Sequence, residues 1–287
     1  MSSLDDKKIL ELQKIANEIR ILIIKSLVQA SSGHSGGPLG MADVFTALYF
    51  NLANIKPTEP EWEDRDKIVL SNGHICPVFY ATLAKRGYFP IEELDTLRKF
   101  ESRLQGHPHR GALPGIENTS GPLGEGLSQA IGMALVGKMD KKDFYVYCLT
   151  SDGEHQEGNT WEAAMLAPKY KLNNLIQIID RNYIQIDGRT TDVMPLDPLK
   201  EKYLSFGWHV IEIDGNNISE IIIAVEKAKK VNDKPIFILA NTVPGKGVSF
   251  MENDYTWHGK PPTEEEAKKA LAELELIQKD LDSRNDK

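Results

Sequence analysis

Five short apolar runs, "KIVL" at 67–70, "FYVYCL" at 144–149, "LIQII" at 175–179, "HVIEI" at 209–213 and "PIFILA" at 235–240, are separated by helical stretches, notably 126–138, 159–171 and 218–230. Strands with near-continuous apolar sequence need cover on both faces, which helices between parallel strands supply. The pattern therefore predicts an α/β fold: a doubly wound parallel sheet with helices on both faces. Such sheets bind ligands at the carboxyl ends of their strands. Ahead of the first strand, residues 4–30 keep a helical period with Ile9, Leu12, Ile15, Ala16, Ile19, Leu22 and Ile23 on one face. The glycine-rich "SSGHSGGPLG" that follows reads as a loop. Thr263 and Glu266 form a capping box that opens a charged helix, running to a polar "DSRNDK" expected to be disordered. The expected division is an α/β domain over 1–262 and a charged C-terminal helix and tail over 263–287.

Composition narrows the function. With 287 residues and 41% hydrophobic content the chain can bury a full core. A net charge of −8 argues against a broad nucleic-acid surface. The two cysteines, Cys76 and Cys148, sit in or next to apolar stretches and form no CxxC, which suits a reducing compartment. "MSSLDDKK" is unlike a signal peptide. The most apolar helical run, "ILIIKSLVQA", is interrupted by Lys25 and too short to span a bilayer. A soluble, cytoplasmic protein with no membrane or nucleic-acid partner is expected.

The chemistry gathers where strands end. "TSDGEHQEG" places Asp152 past one strand, and "IIDRNYIQIDG" places Asp180 and Asn182 past the next. If those strands are neighbours, Asp152 and Asn182 face one another. A carboxylate, an amide oxygen and a loop carbonyl are hard ligands suited to Mg²⁺ or Ca²⁺, and Mg²⁺ usually bridges to phosphate oxygens. Gly153 has no Cβ, so its N–H can approach a phosphate, and the helix that follows offers its N-terminus to the same anion. For "SDGE" alone the competing reading is a pair of polar turns that cap helices. The histidines bear on the choice. Four of the seven adjoin glycine, as Gly33-His34, Gly73-His74, Gly106-His107 and His258-Gly259. Any one could be a core histidine, but glycine puts all four on loops, where site residues concentrate. No H-x₃-H or Cys/His pairing supports zinc. Glu157 and Glu162 follow Asp152 at helical spacing and read either as a solvated face or as part of the site. "GEGLSQ" at 124–129 lacks the third glycine of a dinucleotide fingerprint, and "PGKG" at 244–247 lacks P-loop spacing.

Residues 151–188 resemble the thiamine diphosphate signature, and more closely its transketolase version, with E-G-x-x-x-E-A after the first motif and a closing I-x-I-D-G. "SSGHSGGPLGMAD", "LSNGH", "GHPH", "TSGPLGEGLSQAIGMA" and "WHGKPP" also occur in transketolase order over about residues 10–262. The resemblance is to the diphosphate-binding domain alone, as in the N-terminal subunit of a split transketolase. It implies a cofactor, thiamine diphosphate, and a divalent ion, Mg²⁺ with Ca²⁺ or Mn²⁺ as possible substitutes. It assigns the ion to Asp152, Asn182 and the carbonyl of Ile184, and diphosphate contact to Gly153. Gly121, Leu123 and Ile186 would support the bent cofactor. Ser151 stands where the signature usually has glycine. His74 and His258 would lie near the diphosphate, His34 and His258 near the acceptor carbonyl, and His107 near the donor's hydroxyls. Glu157, with Glu162, would contact the cofactor-activating glutamate of a pyrimidine-binding domain between paired active sites. The implied activity is transfer of a two-carbon ketol unit from a ketose phosphate to an aldose phosphate. The implied partner is a C-terminal subunit carrying the pyrimidine domain, in a 2+2 heterotetramer. Two readings stay open beside it. One is a subunit of a 1-deoxyxylulose-phosphate synthase-like or 2-oxo acid decarboxylase-like thiamine enzyme; the other is a non-catalytic scaffolding subunit.

Overall fold

The computed structural model describes residues 5–284; "MSSL" and the last three residues of the polar tail lie outside the described residues. The chain runs α1 (Asp6–Ala30), α2 (Gly36–Ala47), β1 (Lys67–Leu70), α3 (Cys76–Arg86), α4 (Glu125–Met139), β2 (Val146–Ser151), α5 (Gly158–Lys169) and β3 (Leu175–Arg181). It continues through a small hairpin, β4 (Ile184–Gln185) and β5 (Gly188–Arg189), then α6 (Thr190–Val193), α7 (Leu199–Phe206), β6 (His209–Asp214), α8 (Ile218–Ala228), β7 (Ile236–Asn241) and α9 (Glu264–Ser283). The five long strands form one sheet in the order β1-β2-β3-β7-β6, every neighbouring pair parallel.

The apolar runs become strands because both faces are covered. Tyr147, Leu149, Ile176, Ile178, Ile236 and Ile238 point into a core shared with α1, α2, α3, α8 and α9. Val146, Cys148, Leu175, Ile179, Phe237 and Leu239 alternate into a second core with α4, α5 and α7. The doubly wound expectation holds. β2 begins two residues later than "FYVYCL" suggests. Tyr145 lies in the irregular segment before it, where its N–H donates to Asp66 Oδ1 at 2.8 Å.

One stretch departs from expectation. "SSGHSGGPLG" is a loop only to Ser35; Gly36 opens α2, which is buried along its whole length. Glycine inside a helix costs roughly 0.5–1 kcal/mol, and here close backbone contact offsets it. A Cβ on Gly40 would lie 2.9 Å from the carbonyl oxygen of Val243, and one on Gly37 2.8 Å from Ile75 Cγ2. At the other end, the capping box forms: Glu266 N–H donates to Thr263 Oγ1 at 3.3 Å, and Thr263 N–H to Glu266 Oε2 at 2.8 Å. The helix it opens lies on α1. Asn17 Nδ2 donates to the Leu274 carbonyl and to Gln278 Oε1, both at 2.9 Å, while Ala267, Ala270 and Leu274 are buried. No described helix is long and apolar enough to cross a membrane.

Candidate functional site

β2 and β3 are neighbours in register, Ser151 opposite Asp180, so their carboxyl ends open side by side. A cavity of about 440 Å³ lies there. Three loops deliver histidines to it: the turn after α1 brings His34, the turn after β1 brings His74, and the segment before α9 brings His258. Their ring centroids stand 5.1 Å (His34–His74), 5.8 Å (His34–His258) and 5.2 Å (His74–His258) apart. His107 joins them, packed beside Gly121. Burial pushes His34 and His258 down to about 4, and for His34 the neighbouring His258, Arg98 and His107 add to it. His74 is driven well below its ordinary value by burial and by the other histidines, and His107 is lowered by burial and by Arg98. At neutral pH all four are therefore neutral imidazoles, each with one donor and one acceptor nitrogen. Nδ1 of His34 and of His258 is buried without a hydrogen-bond partner. Facing the cavity, these atoms are free to bond a ligand.

Gly121, Leu123, Gly153, Glu157, Asn182, Ile184 and Ile186 line the remaining surface of the same cavity. Ile186 is 60% exposed and projects over Gly259, where a Cβ would stand 2.5 Å from its Cδ1. Glycine after His258 lets the tip of Ile186 sit close over that loop.

Asp152 lies beneath this surface, fully buried. Its Oδ1 accepts the Gly153 N–H at 2.7 Å; its Oδ2 accepts the Tyr183 N–H at 2.7 Å and Arg181 Nη1 at 3.3 Å. Burial raises its pKa to about 6 against the pull of Arg181 and the two amides. Asn182 turns its Nδ2 to Asp180 Oδ2 at 2.8 Å, and its Oδ1 accepts the Ile184 N–H at 3.0 Å. The two strand ends thus bring Asp152, Asn182 and Ile184 together. The Gly153 amide differs from expectation in being bonded to Asp152, so Gly153 meets the cavity without a free N–H. Among the described residues no cluster of three or more His, Cys, Asp or Glu could hold a metal, so a cation here would draw on amide and carbonyl oxygens as well as carboxylate. A larger cleft, about 670 Å³, lies between β1 and α4. Some of its charges pair with one another, Arg65–Glu117 at 2.9 Å and Lys142–Glu63 at 3.6 Å.

Comparison with known proteins separates these possibilities. Residues 11–280 match the family model described as transketolase, thiamine diphosphate binding domain. The chain belongs to the transketolase family. It is similar to the 6-deoxy-6-sulfo-D-fructose transketolase subunit SqwG of Clostridium sp. (strain MSTE9), 47% identical over 93% of this chain and 97% of that one. It is also similar to an apulose-4-phosphate transketolase subunit from Phocaeicola vulgatus, 43% identical over 94% of this chain and 95% of that one. Its fold is similar to a crystal structure of transketolase from Campylobacter jejuni, with a TM-score of 0.87 and 36% identity, covering 92% of this chain and 42% of that one. The chain therefore spans under half of that single-chain transketolase, but nearly all of the transketolase subunits.

In this transketolase-family chain three site residues escaped the sequence reading. Glu154, buried, accepts the Gly124 N–H at 2.6 Å and the Ser71 hydroxyl on Oε1, and the Ser151 N–H at 3.1 Å on Oε2. It ties the "GPLGEG" loop to the end of β2; only its place beside Asp152 hinted at this. Arg181 is buried between Asp152 and Asp197, which accepts its Nη2 at 3.0 and 2.9 Å, and stacks 4.2 Å from the Tyr183 ring. Arg98 reaches the histidine loops from a turn outside every motif. His155, which drew no role from the sequence, is a core residue, bonded to the Ser151 carbonyl at 2.7 Å and Tyr203 Oη at 2.8 Å. Glu157, the cap residue before α5, and Glu162 on it are exposed.

Proposed function

We propose that this chain is the diphosphate-binding subunit of a split transketolase that moves a two-carbon ketol unit from a ketose phosphate to an aldose phosphate. The carrying observation is that four loop histidines and the oxygen donors of two adjacent strand ends converge on one cavity. The residues present fit thiamine diphosphate with a divalent ion. Orphaned histidine nitrogens await partners. The Asp152, Asn182 and Ile184 oxygens suit Mg²⁺, or Ca²⁺ or Mn²⁺ in its place, better than a softer metal. When bound, thiamine diphosphate supplies the chemistry that breaks a carbon–carbon bond beside a carbonyl.

The chain's own residues do the rest. His74 and His258 donate to the diphosphate, and Gly153, Gly121, Leu123 and Ile186 shape the bed beneath and beside the cofactor. His34 faces the acceptor carbonyl, with His258 beside it, as a neutral hydrogen-bond donor that stabilises the oxygen as charge builds on it. His107 orients the donor's hydroxyls. Two transketolase subunits matched along nearly their whole length support a partner chain, which we take to carry the pyrimidine domain and to assemble as a 2+2 heterotetramer in the cytoplasm. Exposed apolar side chains, Ile186 at the cavity and Met165 and Leu166 on α5, agree with a surface that a partner covers. Glu157 and Glu162 stand on that surface to meet it.

The test is reconstitution. The purified chain, thiamine diphosphate, Mg²⁺, a ketose phosphate and an aldose phosphate are assayed before and after adding a pyrimidine-domain subunit. Ketol transfer on mixing is expected; full transfer by the chain alone would overturn the split reading. Within the active complex, His107→Ala should lower turnover on the order of 100-fold, as misplaced substrate does, with little change in cofactor affinity. Equal losses in both would place His107 at the diphosphate instead.

A further inference from the structure

Arg98 links two loops that carry histidines into the cavity. Its Nη1 donates to Ser32 Oγ at 2.9 Å, two positions before His34, and its Nη2 to the Gly106 carbonyl at 3.3 Å, one position before His107. The glycines of both His-bearing loops pack on the guanidinium. A Cβ on Gly106 would lie 3.0 Å from Cζ and Nε, and one on Gly33 3.8 Å from Nε. Gly106 is clamped from its other side by Cys76, whose Sγ donates to the same carbonyl at 3.1 Å. Arg98 itself adopts a left-handed backbone, φ 59°, held by its N–H donating to the Leu104 carbonyl at 2.9 Å. For a residue with a Cβ that conformation costs roughly 1–2 kcal/mol, which the surrounding structure has to offset. Nε is buried without a partner, and among the described residues Arg98 forms no ion pair. A half-buried cation with no carboxylate is costly, so a purely structural crosslink would be better made by a neutral side chain.

We propose that Arg98 is a positioning residue of this site, its two-pronged guanidinium setting the spacing and orientation of His34 and His107 across the cavity. The inference rests on reading those histidines as the substrate-facing groups. An unneutralised charge behind the imidazoles adds a second effect. His34 is faced by His74, His258, His107 and Arg98, and His107 by Arg98 and His34. The cavity's carboxylates, Glu154, Glu157 and Asp187, do not offset the Arg98 charge, and Arg98 favours the neutral ring at both positions. Geometry and charge thus serve one end, two neutral imidazoles at a set distance from one substrate.

Substitution separates the parts. Arg98→Met keeps the length and removes both prongs and the charge. Arg98→Lys keeps the charge and loses the fork. In the reconstituted complex, Arg98→Met should lower kcat/KM for the donor about 10- to 100-fold, and Arg98→Lys should recover only part of it, with thiamine diphosphate and Mg²⁺ affinity unchanged in both. By NMR titration of the full chain, the His107 midpoint should move up in Arg98→Met and stay near wild type in Arg98→Lys, while His155 stays put. Should Arg98→Met not fold, Ser32→Ala removes one prong's acceptor and should give a smaller loss in kcat/KM with no shift of His107. Full activity in Arg98→Lys would reduce the role to charge and overturn the positioning claim, as would an unmoved His107 and unchanged kinetics in Arg98→Met. A wild-type complex without ketol transfer would instead defeat the functional reading, and the titration would still decide whether Arg98 governs His107.

Discussion

Asp152 shows how one buried carboxylate depends on everything around it. It accepts two backbone amides and one guanidinium yet still has its pKa raised to about 6 by burial. A metal ligand must be ionised, so protons compete with the cation. Mg²⁺ affinity in the presence of thiamine diphosphate should hold above pH 7 and weaken about tenfold per pH unit below about 6, with proton release on binding. Calorimetry at pH 7.5, 6 and 5 reads both, and a pH-independent affinity would remove Asp152 from the ligand set. Asp152→Ala should cost at least about 10–100-fold in metal-dependent cofactor binding, since even outer partners of metal ligands cost that much. Circular dichroism should find the variant folded. Folding stability has opposed contributions. His34, His155 and His258, lowered to about 4, bind fewer protons folded than unfolded, so they add stability as pH rises from about 4 to 6.5. Glu154 and Asp180, raised to about 7, and Asp152, raised to about 6, bind more protons folded and remove stability as pH rises from about 4 toward those values. The urea midpoint of the metal-free chain should accordingly change little between pH 5 and 6.5.

At the scale of elements, α9 is the piece whose role is easiest to misjudge. Its sequence is charged along most of its length, and a solvated appendage is a natural reading. In the structure Leu274 is buried in the core shared with α1, and Asn17 reaches the Leu274 carbonyl and Gln278. Leu274→Ala should therefore cost about 2–5 kcal/mol, whereas Thr263→Ala, which removes only the cap, should cost about 1 kcal/mol. Denaturant unfolding measures both; a Leu274→Ala loss no larger than that of Thr263→Ala would make α9 peripheral to stability. α2 shows the converse, a segment with loop-like composition whose helix is supported by backbone contacts that only glycine permits.

For the molecule as a whole, the candidate site opens at the sheet's carboxyl edge, while an open apolar surface lies along α4 and α5. α4 and α5, packed on one another, leave Val136, Met139, Met165 and Leu166 exposed, with Met139 at 78%. In the reading proposed above this surface meets the partner, so Met165→Glu should weaken assembly tenfold or more, the scale of an interface residue worth over about 1 kcal/mol. Its melting temperature as an isolated chain should match wild type. Sedimentation of the mixed subunits measures the assembly, and undiminished association would move the interface elsewhere.

Alternation of apolar runs with helical periods was enough to determine the parallel sheet, because strands covered on both faces leave few other arrangements. Glycine beside histidine, and Asp152 and Asn182 just past strands, marked the site, because both are local features of chain conformation. Tertiary structure decided the rest. Whether β2 and β3 are neighbours is a matter of strand order, which no local pattern carries. Glu154 and Arg181 lie in stretches that read as ordinary polar turns, and their roles come from Ser71 and Gly124 on one side and Asp197 on the other, brought near by the fold. Arg98 sits in no motif; it matters because two loops distant in sequence end on either side of its guanidinium. Burial supplied the last element: the same imidazoles and carboxylates are ordinary titrating groups in the unfolded chain, and only the packed sheet end, by withdrawing water, makes the histidines neutral and Asp152 slow to ionise.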